Sequence, residues 1–209
     1  MSIEQVLSHQ FQFFKEERLK ETIVARGKLV TVEAGTPILR EGSYVKTVPL
    51  LVNGLVKVIR QEGLKEHLLY YIYPLQSCIV SINCGLNDLK SAVKAIAEED
   101  SEVILLPSTM MESLQREYPS FNAYILSLYQ KRFDDLLDAY NALAFQSLDQ
   151  RLLSYLHSKA KALGTHKILA THQDLGDELG TARETISRIL KKLENDGKVR
   201  LSRGHIEVG

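Results

Sequence analysis

The chain has 209 residues, room for one large domain or two small ones, and its 26 basic and 26 acidic residues cancel. No apolar run approaches the roughly 20 residues needed to span a bilayer. The start, Met1-Ser-Ile-Glu-Gln-Val6, also lacks the basic-then-apolar order of a secretory signal. A cytoplasmic protein with no membrane association is expected, and there Cys78 and Cys84 would stay reduced. Splitting the charge is more informative than summing it. Residues 147–209 hold 11 Lys and Arg against 8 Asp and Glu, whereas residues 1–146 hold 15 against 18.

Residues 3–25 are predicted to be helical, with Ile3, Val6, Leu7, Phe11, Phe14, Leu19 and Ile23 as a broken apolar face. From Lys28 the period shortens to that of strands. Residues 29–32, 37–39, 48–52, 55–59 and 67–73 are β-type runs separated by Gly35, Gly42, Gly54 and Gly63, and Asn53-Gly54 is a hairpin signal. Residues 92–97 and 102–106 complete the β region, which therefore predicts an antiparallel barrel or roll. After Pro107 the helical period returns, first over 108–117 and then from Pro119, a first-turn proline, to about Phe145. The second of these helices carries Phe121, Ile125, Leu128, Phe133, Leu136, Leu137, Tyr140 and Leu143 as one long stripe. At about 1.5 Å per residue it spans roughly 40 Å, more than a small roll covers, so a second copy of the helix is expected to bury the remainder. A further amphipathic helix over 147–162 uses Leu148, Leu152, Leu153 and Leu156 and ends near Gly164.

Residues 171–197 carry the most specific pattern. Thr171 suits an N-cap, Leu175 and Leu179 share a face, and Gly180 supplies a tight turn. A second helix follows, with Ile186, Ile189, Leu190 and Leu193 as its buried stripe. Arg183, Glu184, Ser187 and Arg188 are left at its exposed head. These side chains suit base edges, since Arg can bond guanine bidentately and Glu can accept from the cytosine amino group. A solvated helical hairpin is the plainer alternative. Residues 198–208, however, alternate apolar and polar about Gly204 as a two-stranded wing would. Two helices and a wing in the basic part of the chain point to DNA.

The sequence from Gln173 to Glu194, with Arg183-Glu-Thr-Ile-Ser-Arg188 at its centre, resembles the signature of the CRP/FNR family of bacterial transcription regulators. Residues 142–153 are similar to that family's hinge, and Glu41-Gly42 and Asn53-Gly-Leu-Val-Lys-Val58 match its roll more loosely. The resemblance covers nearly the whole chain and implies an α+β fold in three parts. Residues 1–118 would be a cyclic-nucleotide-binding-like antiparallel β-roll, a jelly-roll-like double-stranded β-helix. Residues 119–146 would be the dimerisation helix and hinge, and 147–209 a winged helix-turn-helix. It further implies that Arg183, Glu184 and Arg188 read bases, with Ser187 beside them, while Thr171, Gln173 and Thr185 contact phosphates. The implied partners are double-stranded DNA at an inverted repeat, a second copy of the chain, and RNA polymerase.

The effector region departs from that family. Its cyclic-nucleotide-binding members use a Gly-Glu pair to hold the ribose and an Arg-Ser or Arg-Thr pair to hold the phosphate. Here the first region reads Gln76-Ser-Cys78-Ile-Val and the second falls at Lys90-Ser91. Lysine is a point charge without the guanidinium fork, so Cys78, Lys90 and Ser91 mark a diverged pocket that is not expected to bind cyclic AMP. An oxygen-sensing iron–sulfur cluster needs four cysteines, which two cannot supply within one chain. Cys78 and Cys84 suit buried inert thiols, with a regulatory disulfide or a site between subunits as alternatives. Six histidines show no metal-binding spacing, and His67, alone in the β region, is a weak candidate for haem. No cofactor or metal is therefore expected. An enzyme on the barrel would need several His and carboxylate ligands on adjacent strands, so none is expected either. The remaining alternative is a ligand- or redox-sensing interaction module whose winged helix is only structural.

Overall fold

Strand β3 (Thr47–Asn53) is buried at five consecutive residues because both of its faces are covered. Its register against β7 (Ser101–Pro107) is antiparallel, and β7 also pairs with β1 (Lys28–Val32). A second antiparallel sheet runs in the order β2 (Pro37–Leu39), β6 (Lys94–Ala97), β4 (Val56–Glu62), β5 (Lys65–Ile72). The computed structural model describes residues 1–63, 65–202 and 204–208, without the side chains of Glu62, Lys65 and Leu143. These residues divide into two units, 1–61 with 68–134, and 62–67 with 135–209.

In the first unit the side-chain alternation of strands assigns each residue to a face. Leu51 and Val103 join Leu39, Val56, Val58 and Ala95 in the core of the roll. Their neighbours Val48, Leu50, Val52, Ile104 and Leu106 point the other way, into a helical layer. That layer comprises α1 (Ile3–His9), α2 (Glu17–Arg26), α4 (Met111–Glu117) and the first half of α5 (Pro119–Phe145). The boundaries expected for α5 match those observed. The single N-terminal helix does not survive. Phe11, Phe13 and Phe14 crowd apolar bulk onto nearly adjacent residues, more than one helical face can bury, and the chain turns there instead. Phe11 and Phe14 are fully buried, and Phe14 meets Phe121 at 5.7 Å and Tyr124 at 5.4 Å between ring centroids.

Two further features differ from the sequence reading. Asn53-Gly54 does not close a hairpin between paired strands, because β3 pairs with β7 and β4 with β6. It carries the chain from one sheet to the other. Gly54 has φ +94, and a Cβ there would collide with Ser101 Oγ, so both the turn and the close approach require glycine. The hairpin comes one connection later, at Gly63. Helix α3 (Ile79–Asn87) was also not foreseen, since its Asn-Cys-Gly-Leu-Asn composition resembles a loop.

The second unit contains α6 (Leu148–Leu163), α7 (His172–Leu179), α8 (Arg183–Asn195) and a small sheet. Leu152, Leu156, Leu175, Ile186, Leu190, Leu193 and Ile206 form its core. The wing strands β9 (Val199–Ser202) and β10 (His205–Val208) match expectation, while Arg203 lies outside the described residues. A third strand, β8 (Lys167–Ile168), pairs with β10 through Ile168 and Ile206. At two residues it is too short to leave a periodic signal. Among the described residues, no helix is long and apolar enough to cross a membrane.

Candidate nucleic-acid interface

Helix α7 starts at a capping box. Thr171 Oγ accepts from Asp174 N at 3.1 Å, and the Asp174 carboxylate accepts from Thr171 N at 2.9 Å. It stops at Gly180, whose φ of +68 is the left-handed conformation of a helix C-cap. The turn folds back closely, with Thr181 N donating to Gly176 O at 2.8 Å. A Cβ on Gly176 would stand 2.8 Å from Thr181 O. That contact fixes how near the head of α8 lies to α7.

Burial of Ile186, Leu190 and Leu193 rotates α8 so that Arg183, Glu184 and Arg188 are all exposed. These three expected base readers thus share one face at the helix head. Ser187 lies on the same face, between Arg183 and Arg188, but is less exposed than they are. It is half-buried, its hydroxyl donates to Arg183 O at 3.0 Å, and it lies 2.8 Å from His172 Nδ1. Ser187 therefore ties α8 to α7, a pairing that sequence spacing could not reveal. Thr171 and Gln173 are exposed beside the same surface, and Thr185 is half-buried. The Thr171 hydroxyl serves the cap, and the Gln173 amide donates to Asp177 at 3.2 Å.

The wing is fastened to the recognition helix. Leu201 N donates to Glu194 at 3.1 Å, and Lys191 meets the same carboxylate at 2.8 Å. The Lys191 hydrogen bond, followed by that from Leu201, holds the Glu194 carboxyl below its usual range. Lys192 and Asp149, 2.8 Å apart, strap α8 to the start of α6, and the bond from Lys192 depresses the Asp149 carboxyl. Between wing and helices runs a cleft bordered by Thr171, His172, Arg183, Ser202 and His205. Lys198 and Arg200 are exposed on the wing side.

The expected effector residues do not offer a shared set of free donors. Ser91 is buried and spends its hydroxyl on Val93, donating to O at 2.7 Å and accepting from N at 3.2 Å. Lys90 is exposed, with its ammonium 5.5 Å from the Tyr44 ring centre. Cys78 is fully buried at the N-cap of α3, with the Tyr70 hydroxyl 3.7 Å from its sulfur. Burial, then the nearby Cys78, raises the Tyr70 phenol above its ordinary range. Arg132 of α5 covers the Tyr70 ring at 4.4 Å and donates to Gln76 at 3.2 Å. Both thiols are free and buried, and burial pushes the Cys84 thiol up. Six residues of helical rise separate them by about 9 Å, beyond the reach of a disulfide between them. No group of three or more His, Cys, Asp or Glu suited to a metal occurs among the described residues.

Helix α5 carries two apolar faces where the sequence suggested one. Phe121, Ile125 and Leu128 are buried in the first unit. Leu126, Tyr129, Phe133, Leu136 and Tyr140 are exposed. Their spacing of three, four, three and four residues is that of the a and d positions of a coiled coil. Leu126 and Tyr129 had not been singled out, because the sequence stripe mixed the two faces. Leu143 would be the next position, but its side chain lies outside the described set.

Residues 150–208 match the family model of the Crp-like helix-turn-helix domain. The cyclic AMP receptor protein of Thermus thermophilus is 27% identical over 176 residues, 83% of this chain and 80% of its own. Residues 150–208 thus form a Crp-like helix-turn-helix domain, and the chain as a whole is similar to CRP/FNR-type transcription regulators. The transcriptional activator protein anr of Pseudomonas aeruginosa is 22% identical across 86% of this chain and 75% of its own. The fold is shared with a solved CRP/FNR-family regulator from Eubacterium rectale, at TM-score 0.80 and 24% identity over 94% of each chain. It is also shared with the c-di-GMP responsive regulator CLP of Xanthomonas campestris, at TM-score 0.76 and 20% identity over 92% of this chain and 99% of that one. These CRP/FNR-type relatives are regulators rather than enzymes.

Proposed function

We propose that this chain is a CRP/FNR-type transcription regulator that binds an inverted-repeat DNA site as a cytoplasmic homodimer, placing one α8 helix in each major groove. The supporting observation is the joint exposure of Arg183, Glu184 and Arg188 at the head of α8 above a fully buried Ile186 and Leu190. In that position Arg183 and Arg188 donate to guanine edges, and Glu184 accepts from a cytosine amino group. Thr171, Gln173 and Thr185 approach phosphates, together with Lys198 and Arg200 from the wing. Ser187 acts by holding His172, so that α7 and α8 meet the DNA as one piece. The exposed heptad on α5 supplies the seam between two copies, which sets the spacing of the two recognition helices. RNA polymerase is the proposed protein partner of the bound dimer.

DNA binding is proposed to be independent of cyclic AMP. Lys90 replaces a forked guanidinium, and the Ser91 hydroxyl is already satisfied by Val93. The Thermus thermophilus relative is named for cyclic AMP; in this chain the regions that resemble the ribose- and phosphate-holding pairs read Gln76-Ser-Cys78 and Lys90-Ser91. The test is selection of bound sequences from a random DNA pool by the full chain. Enrichment of an inverted repeat without added nucleotide supports this reading, and a requirement for cyclic AMP contradicts its second part.

A further inference from the structure

The hydrogen bonds around Ser187 assign the proton on a histidine that borders the cleft between wing and helices. A serine hydroxyl carries one hydrogen. Ser187 gives it to Arg183 O, which can only accept, at 3.0 Å. The 2.8 Å contact between Ser187 Oγ and His172 Nδ1 therefore runs the other way, with Nδ1–H donating to the hydroxyl oxygen. In the neutral ring the single N–H is then on Nδ1, and Nε2 keeps an unshared pair. Nε2 is the nitrogen left to the cleft, which has a volume of about 800 Å³. Toward a phosphate oxygen that pair is repulsive. Protonation makes Nε2 a charged N–H donor and leaves the bond to Ser187 in place.

We propose, on the strength of the DNA-binding reading, that each subunit takes up a proton at His172 when it binds DNA, its imidazolium meeting a backbone phosphate that crosses the cleft. The proton comes from the buffer and stays on Nε2 in the complex. Among the described residues, the other charged or titratable groups bordering the cleft are Asp174 of α7, Arg183 of α8 and His205 of the wing. The Asp174 carboxylate accepts from Thr171 N at 2.9 Å, and His205 meets Glu207 at 3.4 Å. Exposed Arg183, and Arg188 next to Ser187 on α8, add positive charge on the helix side. Thr171 and Gln173 flank His172 and are exposed beside it, where the phosphate backbone is placed. A phosphate favours the charged ring. The affinity it adds is therefore present while the ring is protonated and is lost as rising pH removes the proton.

The experiment titrates the full chain with a random-sequence duplex and with the duplex selected from the pool, at fixed ionic strength, between about pH 8 and about pH 5.5. Affinity for both should rise about tenfold per subunit as pH falls, the scale of one hydrogen bond to a charged group. His172→Gln should remove most of this rise, and His205→Gln should leave it. Thermal unfolding matching that of the unmodified chain confirms that both variants fold. Calorimetry of the unmodified chain near neutral pH, in two buffers of unlike ionisation heat, should show net proton uptake on binding, independently of any variant. Binding to both duplexes without proton uptake overturns the proposal and leaves the DNA-binding reading standing. Affinity that falls in acid, as a base amino group donating to Nε2 would require, also overturns it. So does a rise that survives His172→Gln or is lost in His205→Gln. No binding to either duplex at any pH overturns the DNA-binding reading and the proposal together.

Discussion

Leu128 and Phe133 lie little more than one turn apart on the same helix and face opposite surroundings. Leu128 is 5% exposed in the helical layer of the first unit, whereas Phe133 is 59% exposed. Helix α5 thus switches the face it must bury part-way along its length. The division between the two units falls just beyond, between residues 134 and 135. Aromatic side chains repeated with leucine at heptad spacing fit the seam proposed between two copies.

Replacing Phe133 and Leu136 together with Asp should therefore convert a dimer into folded monomers, read by sedimentation, and weaken site-specific DNA binding in parallel. Leu128→Ala should act differently. It opens a cavity in the chain's own core and should cost about 2–5 kcal/mol of stability, leaving association of the folded protein intact. A Phe133/Leu136 double variant that still sediments as a dimer contradicts the assignment of the seam.

For base reading, Arg183→Ala and Arg188→Ala should each lose about 1–3 kcal/mol of preference at one base pair per half-site. Binding to random DNA should fall far less. Competition titrations with single-base variants of the selected site measure this. Equal losses on specific and random DNA would make these arginines phosphate contacts.

Within the helix-turn-helix, Thr171→Ala removes one half of the capping box and should lower the stability of the second unit by about 1 kcal/mol. Gly176→Ala should cost more than its helix propensity suggests, because the new Cβ meets the Thr181 carbonyl at 2.8 Å. Ser187→Ala should reduce affinity without changing which base is preferred, since its hydroxyl meets His172. A changed base preference in Ser187→Ala would make this residue a base contact instead.

Cyclic AMP and cyclic GMP should neither bind at micromolar concentration nor raise DNA affinity. A ligand shifts an equilibrium only by its differential affinity for the two states, and here Ser91 keeps its hydroxyl within the roll. Calorimetry followed by DNA titration with and without each nucleotide decides the matter. If binding does occur, Lys90→Ala identifies whether its ammonium holds the phosphate.

The C-terminal domain was largely legible in the sequence because its signals are local. Thr171, Gly180 and the stripe of Ile186, Leu190 and Leu193 each fix a cap, a turn or a face within a few residues. The roll was legible as strands but not as connections. Asn53-Gly54 specifies a turn, yet whether that turn joins paired strands or crosses between sheets depends on Ser101, nearly fifty residues away. The N-terminal break depends similarly on Phe121 and Tyr124, which receive Phe14. Helix α3 is defined by packing, where a Cβ on Gly85 would stand 2.9 Å from the Ser108 Cβ, and not by periodicity. The two faces of α5 merged in sequence because both are apolar, and only burial separates Leu128 from Phe133.

The most direct test of the central claim is to sequence the fragments that the purified full chain retains from a random double-stranded DNA pool. The account predicts one enriched inverted repeat with half-site centres about 34–36 Å apart, lost from the pool selected by Arg183→Ala. Retained DNA with no enriched sequence, or a single unrepeated half-site bound by a monomer, would contradict it.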